Sequence, residues 1–126
     1  NLPPEPAAGD AYALFARGAE LLDQRHWAQA AISLEQAIKL EPGKTSILEA
    51  LGRAYFHMQR YRDAADAFGQ VVEQRPDDDF SQFCLGRSLE KLGDVNGAAR
   101  HMALAVGMRP GRSDYRRYLQ RLRDRS

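Results

Sequence analysis

The feature that most constrains the fold is a fixed period that runs through most of the chain. Three residue types recur at the same interval: Gly18, Gly52 and Gly86; Ala30, Ala64 and Ala98; and Pro42, Pro76 and Pro110. A chance match of one short motif would not place three independent residue types on one interval. A fixed period of 34 residues, the separation of Gly18 from Gly52 and of Gly52 from Gly86, is typical of repeat proteins, whose units bury their apolar faces against their neighbours.

Each recurring residue has a physical reason to recur. Glycine inside a helix costs roughly 1 kcal/mol relative to alanine, so three glycines in register indicate a close approach of two helices. We expect the alanines to face the glycines from the second helix, and larger side chains one turn later to fill the space beyond: Leu34, Phe68 and Met102. The prolines end each second helix, because proline cannot continue one.

The best-matched repeat reads Leu48-x-x-Leu51-Gly52-x-x-Tyr55, then Ala64-x-x-x-Phe68, then Pro76. This pattern resembles the tetratricopeptide repeat (TPR), with Leu48 where the pattern prefers Trp. The resemblance covers about residues 13–112 and implies an all-α fold, a right-handed α-solenoid of helix-turn-helix repeats. We expect a proline-rich linker (1–10), three units (11–44, 45–78 and 79–112) and a C-terminal capping helix (113–126).

Local signals predict how several segments begin and end. Ser46-x-x-Glu49 matches a capping box for the first helix of the second unit. Asp77, Asp78 and Asp79 lack the ligand spacing of a calcium loop, so we interpret them as the cap of the next helix. In the last segment an apolar stripe should seal the third repeat while arginines face solvent; the stripe is Tyr115, Tyr118, Leu119 and Leu122.

Composition narrows the possible functions. The formal net charge is +1, so we do not expect a nucleic-acid partner, although residues 112–126 carry six Arg against two Asp. That basic segment could contact RNA, anionic lipid or an acidic protein, but a solubilising outer face explains it more simply. No stretch approaches the ~18 apolar residues of a membrane span. Arginine outnumbers lysine, a bias typical of GC-rich bacterial genomes, and the start at Asn1 suggests a fragment or a processed form.

Candidate catalytic groups are sparse. The histidines His26, His57 and His101 lie on different repeats, and no metalloprotease, phosphate-loop or nucleophile-elbow motif is present. The single cysteine, Cys84, excludes an internal disulfide framework. Paired with His57, it is the only conceivable nucleophile with a base. We therefore predict no enzymatic activity, no cofactor and no metal.

The resemblance to TPR proteins implies a concave groove lined by the first helix of each unit. Three arginines spaced by the same interval as the glycines would form a ladder there, and a guanidinium can hold a carboxylate through two hydrogen bonds; these are Arg53, Arg87 and Arg121, with Arg117 beside them. Aromatic side chains, which binding hot spots use often, share the same nominal face: Tyr12, Phe15, Phe56, Phe80, Phe83 and Tyr118.

Simpler interpretations stay open for these residues. Arg53 follows Glu49 by one helical turn and Arg87 precedes Glu90 by one turn, so the ladder could be a solvated face whose charges pair within each helix. The aromatic rings could pack between neighbouring first helices. Tyr12 and Phe15, on the end repeat, could form an interface with an upstream segment or with a second copy.

We therefore predict a non-catalytic protein–protein interaction scaffold that binds a peptide or helix with acidic and apolar residues. The alternative is an assembly module, a homo-oligomer or a docking unit that associates through its apolar N-terminal repeat. One kind of ligand is not expected. TPR domains that clamp the C-terminal carboxylate of heat-shock chaperones use Lys and Asn, whereas the matching positions here cannot hold a carboxylate: Phe15, Ala19, Ala50, Phe80 and Cys84.

Overall fold

The computed structural model describes residues 10–125, and over this range the chain forms seven α-helices and no strands. The helices are α1 (Asp10–Asp23), α2 (Trp27–Leu40), α3 (Thr45–His57), α4 (Tyr61–Gln74), α5 (Asp79–Lys91), α6 (Val95–Met108) and α7 (Ser113–Arg125). The all-α solenoid predicted from the repeat is confirmed. Of the predicted linker, Asp10 is the first residue of α1 and the rest lies outside the described residues. None of the seven helices is both long and apolar enough to cross a membrane.

The helices pack in the order in which they follow one another. Each contacts the next along the chain, from α1 against α2 to α6 against α7, and a smaller contact joins α1 to α3. The apolar core follows this path as three clusters instead of one centre: α1 to α3, α4 with α5, and α5 to α7. Stability in such an arrangement comes mainly from interfaces between neighbours.

The recurring glycines allow a close approach of the two helices in each pair. A Cβ atom added to Gly52 would lie 2.7 Å from the ring of Phe68, and one added to Gly18 would lie 2.5 Å from Leu34. Gly86 stands in the same relation to Met102, at 2.7 Å. The expectation that the alanines face the glycines directly was therefore incomplete. The alanines are fully buried, but the space above each glycine is filled by the larger side chain one turn later.

The turn inside each pair uses one backbone conformation three times. Arg25, Gln59 and Gly93, which occupy equivalent positions in the three repeats, all have positive φ values, of 63°, 62° and 89°. In the second unit Arg60 N–H donates to the Tyr55 carbonyl at 2.9 Å, which closes the end of α3. Only the third unit uses glycine at this left-handed position, so the other two turns carry backbone strain.

Two predicted helix caps have different outcomes. The capping box at Ser46 was wrong: α3 begins at Thr45, after Lys44, and the Lys44 side chain makes no capping hydrogen bond. The aspartate cap is confirmed, because the Asp78 carboxylate accepts a hydrogen bond from Ser81 N–H at 3.0 Å. Glu49 is therefore not needed at the helix end, and its carboxylate instead contacts Arg53.

Helix α7 is held against the third unit by its apolar stripe. Tyr115 and Leu122 are fully buried and Leu119 nearly so, while Tyr118 is half-buried. The Tyr115 hydroxyl donates a 2.7 Å hydrogen bond to Asp79 at the start of α5. This bond joins the beginning of α7 to the beginning of α5, and so sets the position of α7 beside α5.

Candidate functional site

A first cavity, of about 180 Å³, lies between α3 and α5. We call it the α3–α5 cavity; its lining residues are Arg53, Phe56, His57, Phe68, Phe80, Phe83, Cys84 and Arg87. Five of the residues predicted for the binding site meet here. The walls are mostly aromatic, and two guanidinium groups stand among them. Such a lining suits an apolar side chain that carries an acidic group beside it.

The three predicted phenylalanines that line this cavity differ in how exposed their rings are. Phe80 is 39% exposed, which makes it the most exposed of the three. Phe83 is only 8% exposed and stacks on Tyr115 of α7, with ring centroids 4.6 Å apart. Phe56 makes an edge contact with Tyr61 at 5.2 Å. Phe80 is therefore the ring most available to a ligand, while much of Phe83 is used in packing α7.

A second cavity, of about 350 Å³, lies between α5 and α7. This α5–α7 cavity is lined by Arg87, Glu90, Lys91, Tyr118, Arg121 and Arg125. The acidic residue among them, Glu90, forms a 2.7 Å ion pair with Arg125. The predicted residue Arg117 does not line the cavity; its Nη1 atom donates to the Ser113 hydroxyl at 3.3 Å. The cavity thus gathers cationic groups that the repeat interval alone did not reveal, namely Lys91 and Arg125.

Arg87 lines both cavities. Its guanidinium carbon is 5.1 Å from the ring centroid of Phe56 and 4.4 Å from that of Tyr118. Arg121 lies over Tyr118 as well, at 4.3 Å. The Nε atom of Arg87 is buried and has no hydrogen-bond partner among the described residues. Two aromatic rings therefore hold this guanidinium in place while its hydrogen-bonding capacity is not fully used.

Arg53 and Arg87 were each expected to pair with a glutamate of their own helix, and only one of them does. The Arg53 Nε atom lies 3.8 Å from a carboxylate oxygen of Glu49. Burial raises the pKa of Glu49, and Arg53 opposes that rise. Arg87 does not pair with Glu90, because Glu90 is engaged by Arg125 from α7. The self-paired interpretation therefore fits Arg53 and does not fit Arg87.

The remaining predicted residues, Tyr12 and Phe15, lie on a different part of the solenoid from these cavities. They line a separate cavity of about 420 Å³ with the turn between α2 and α3. Tyr12 is 77% exposed, so the outer face of α1 presents a large apolar ring to solvent. The structure therefore does not join these two residues to the arginine ladder.

The only cysteine is poorly suited to nucleophilic chemistry. Burial raises the pKa of the Cys84 thiol well above its usual range, so the reactive thiolate is disfavoured at neutral pH. His57 lines the same cavity, but no hydrogen bond joins it to Cys84 within residues 10–125. In that same range no group of three His, Cys, Asp or Glu side chains is placed to hold a metal ion.

Comparisons with known proteins agree with this architecture. A family model described as the tetratricopeptide repeat matches residues 15–79 and 50–113. MamA from Desulfovibrio magneticus RS-1 is similar in structure, with a TM-score of 0.89 and 21% identity over 92% of this chain and 66% of that chain. This chain spans about two thirds of the length of such MamA structures.

Two smaller structures match over nearly their whole length. The first TPR of Spaghetti (RPAP3), bound to the HSP90 peptide SRMEEVD, has a TM-score of 0.87 and 13% identity over 97% of both chains. The Arabidopsis OM64 TPR domain has a TM-score of 0.87 and 16% identity over 94% of this chain and 98% of that chain. At these identities the likeness shows the fold alone. No curated protein matches the sequence.

Proposed function

The chain belongs to the tetratricopeptide repeat family, and from this premise we propose that it is a non-catalytic protein–protein interaction scaffold. In this proposal a peptide or a helix of a partner protein lies in the concave groove formed by α3, α5 and α7. The ligand contributes apolar side chains and carboxylates. Members of this family are generally interaction modules. The aromatic and cationic lining of the two cavities supports a ligand with apolar and acidic side chains.

One observation carries the proposal: Arg87 is positioned by two aromatic rings but has no acidic partner among residues 10–125. A guanidinium on a protein surface usually gains a carboxylate or faces bulk water. Here the group is half-buried, and its Nε atom lacks a hydrogen bond to any described residue. Because the Nε atom is buried, a ligand carboxylate would approach the terminal nitrogens of this guanidinium. Charge-assisted hydrogen bonds of this kind are stronger than neutral ones.

The absence of catalysis in this proposal has a physical basis. An enzyme needs an activated nucleophile or a positioned acid and base. Burial favours the protonated form of Cys84, and burial also lowers the pKa of His57, whose ring stacks on Trp27. Neither residue has an activating partner in the described part of the chain. Any activity found in the chain and lost on Cys84→Ala would contradict the proposal.

We do not propose the C-terminal tail of a heat-shock chaperone as the ligand. One structural neighbour was solved with an HSP90 peptide, but that likeness concerns the fold. In this chain the corresponding positions include Ala50, which is buried, and Phe80, which is apolar. The cationic groups here lie elsewhere, at Arg53, Arg87 and Arg121.

The test compares two variants of equal charge. In the groove variant Arg53, Arg87 and Arg121 are replaced by Ser; in the control the exposed residues Arg62, Arg75 and Arg100 on and beside α4 and α6 are replaced by Ser. Both are checked for folding by circular dichroism and used with wild type to capture partners from a lysate. A partner held by wild type and the control but lost by the groove variant supports the proposal. Equal retention by all three contradicts it.

The exposed α1 face favours a second candidate, assembly through the N-terminal repeat. Tyr12 presents most of its ring to solvent, and Phe15 lines the same cavity. Sedimentation at several concentrations tests this directly. A dimer that forms with rising concentration and is lost on Phe15→Glu, but kept on Ile32→Glu at an exposed site of α2, supports self-association. A monomer at every concentration excludes it.

A further inference from the structure

We propose that the two cavities bind two different parts of one ligand. The α3–α5 cavity takes a bulky apolar side chain, the α5–α7 cavity takes a cluster of side-chain carboxylates a few residues away, and Arg87 binds at the border. This inference rests on the proposed function and adds to it the order and the spacing of the ligand's residues.

The first cavity is lined mostly by aromatic side chains. Phe56, Phe80 and Phe83 form walls, and the buried ring of Phe68 contributes from α4. Its volume of about 180 Å³ is that of one large side chain and not of a longer segment. Phe80, the most exposed of these rings, offers an aromatic contact to that side chain.

The second cavity is basic. Glu90 is neutralised by Arg125 at 2.7 Å. Arg87, Lys91 and Arg121 then remain without an ion pair to any carboxylate within residues 10–125. Three uncompensated cations around one opening favour more than one acidic group. Their charge complements an acidic cluster and disfavours a basic or a purely apolar partner.

The border residue is already in place for binding. The guanidinium of Arg87 lies against Phe56 of the first cavity and Tyr118 of the second. Because the rings restrict its rotamers, less conformational entropy is lost when a carboxylate binds. The same residue thereby couples the two cavities.

The spacing follows from helix packing. Neighbouring helices lie about 10 Å apart, which is the scale that separates cavities on either side of α5. An extended chain advances about 3.3–3.6 Å per residue, so about three residues bridge that distance. The expected motif is therefore a bulky apolar residue, a short spacer and then two or more acidic residues, in either chain direction.

The test uses displayed random peptides selected separately on five proteins. These are wild type, Phe80→Ser, Arg121→Gln, Arg87→Gln and the control Arg62→Gln, each confirmed as folded by circular dichroism. Wild type and control should enrich the apolar–spacer–acidic motif. Phe80→Ser should lose the apolar preference alone, Arg121→Gln should weaken the acidic preference alone, and Arg87→Gln should weaken both.

Affinities then make the result quantitative. Peptides enriched on wild type are synthesised with amidated C-termini and measured by fluorescence anisotropy. Arg87→Gln and Arg121→Gln are each expected to weaken binding about tenfold, as is typical when a charge-assisted hydrogen bond is lost. Phe80→Ser should weaken the binding of peptides that contain the apolar residue. It should leave the binding of peptides that lack this residue unchanged.

The outcomes separate this inference from the proposed function. If Phe80→Ser and Arg121→Gln shift the same preference, or if the motif has no fixed spacing, the two-cavity inference is overturned while groove binding stands. If a peptide binds only with a free C-terminal carboxylate, recognition of side-chain carboxylates is overturned. If no selected peptide responds to any of the three groove substitutions, the proposed function itself fails.

Discussion

The imidazole of His57 stacks on the indole of Trp27, with ring centroids 3.9 Å apart and an interplanar angle of 9°. This contact joins the end of α3 to the beginning of α2. Burial lowers the pKa of His57, and the nearby charges of Arg53, Arg25 and Arg87 lower it further. The neutral ring is therefore the form that the folded chain favours.

Acidification should destabilise the protein through this histidine. A group with a lowered folded-state pKa contributes stability above its unfolded value, about 6.5 for histidine, and loses it as the pH falls through the folded value. We expect Tm to decrease below about pH 6.5 in wild type and to decrease less in His57→Gln. The pKa of His101 is also lowered, but it is present in both proteins and cancels in the comparison.

Trp27 offers an independent measurement of the same titration. It is the only tryptophan in the chain, so its fluorescence reports on the stacked pair. The signal should titrate with a midpoint below the ordinary histidine pKa, and His57→Gln should abolish the step. If Tm decreased equally with falling pH in wild type and in His57→Gln, this explanation would be refuted.

Gly52→Ala should lower stability, whereas Gly69→Ala should raise it. A Cβ on Gly52 would lie 2.7 Å from the buried ring of Phe68, and overpacking of this kind typically costs about 1–3 kcal/mol. A Cβ on Gly69, in the interior of α4, would meet nothing within 4 Å, so the change should gain about 0.5–1 kcal/mol of helix propensity. Urea unfolding of both variants measures the difference. A neutral Gly52→Ala would show that the close approach is not needed.

Gln59→Gly should stabilise the turn between α3 and α4. Gln59 adopts φ 62°, a conformation that costs non-glycine residues roughly 1–2 kcal/mol. Part of this gain is offset by the greater freedom of glycine in the unfolded chain, so we expect a net increase of about 0.5–1 kcal/mol. The reverse change, Gly93→Ala at the equivalent turn, should destabilise by a similar amount. If both changes lower Tm, strain at this position does not limit stability.

Glu49→Gln should strengthen the binding of acidic peptides. A carboxylate oxygen of Glu49 lies 3.8 Å from Arg53 Nε, so Glu49 competes with a ligand carboxylate for this guanidinium. Its raised pKa also indicates that burial disfavours its charged form. We expect affinity to rise a few-fold, measured by fluorescence anisotropy. Glu73→Gln, on the exposed side of α4, makes the same change in net charge and should have little effect; an equal rise in both would indicate only long-range electrostatics.

Much of the fold could be predicted because its constraints are local. Glycine, alanine and proline at one interval report directly on helix contacts and helix ends, and the apolar stripe of α7 is visible within its own short sequence. The strained turns could not be foreseen, because Arg25 and Gln59 carry no glycine signal. The capping box at Ser46 failed since the helix begins at Thr45, a shift of a kind that short motifs do not resolve.

The site was less predictable because it depends on contacts between helices. Whether a ring such as Phe83 faces a ligand or a neighbour is decided by where Tyr115 lies, on a helix two elements further along the chain. Likewise, the pairing of Glu90 with Arg125 joins α5 to the end of α7 and releases Arg87. The repeat interval placed the arginines on one face but did not say which of them would lack a partner.

The packing of each helix mainly on its sequence neighbours also has a mechanical consequence. In the described part of the chain the extensive contacts run from one helix to the next, and the contacts between alternate helices, such as α1 with α3 and α5 with α7, are smaller. Bending is therefore shared among successive interfaces, as in a short spring, and the openings on either side of α5 change width with its curvature. If a ligand binds in these openings as proposed, its affinity is coupled to tension along the molecule, and pulling on the two ends of the solenoid should speed ligand release.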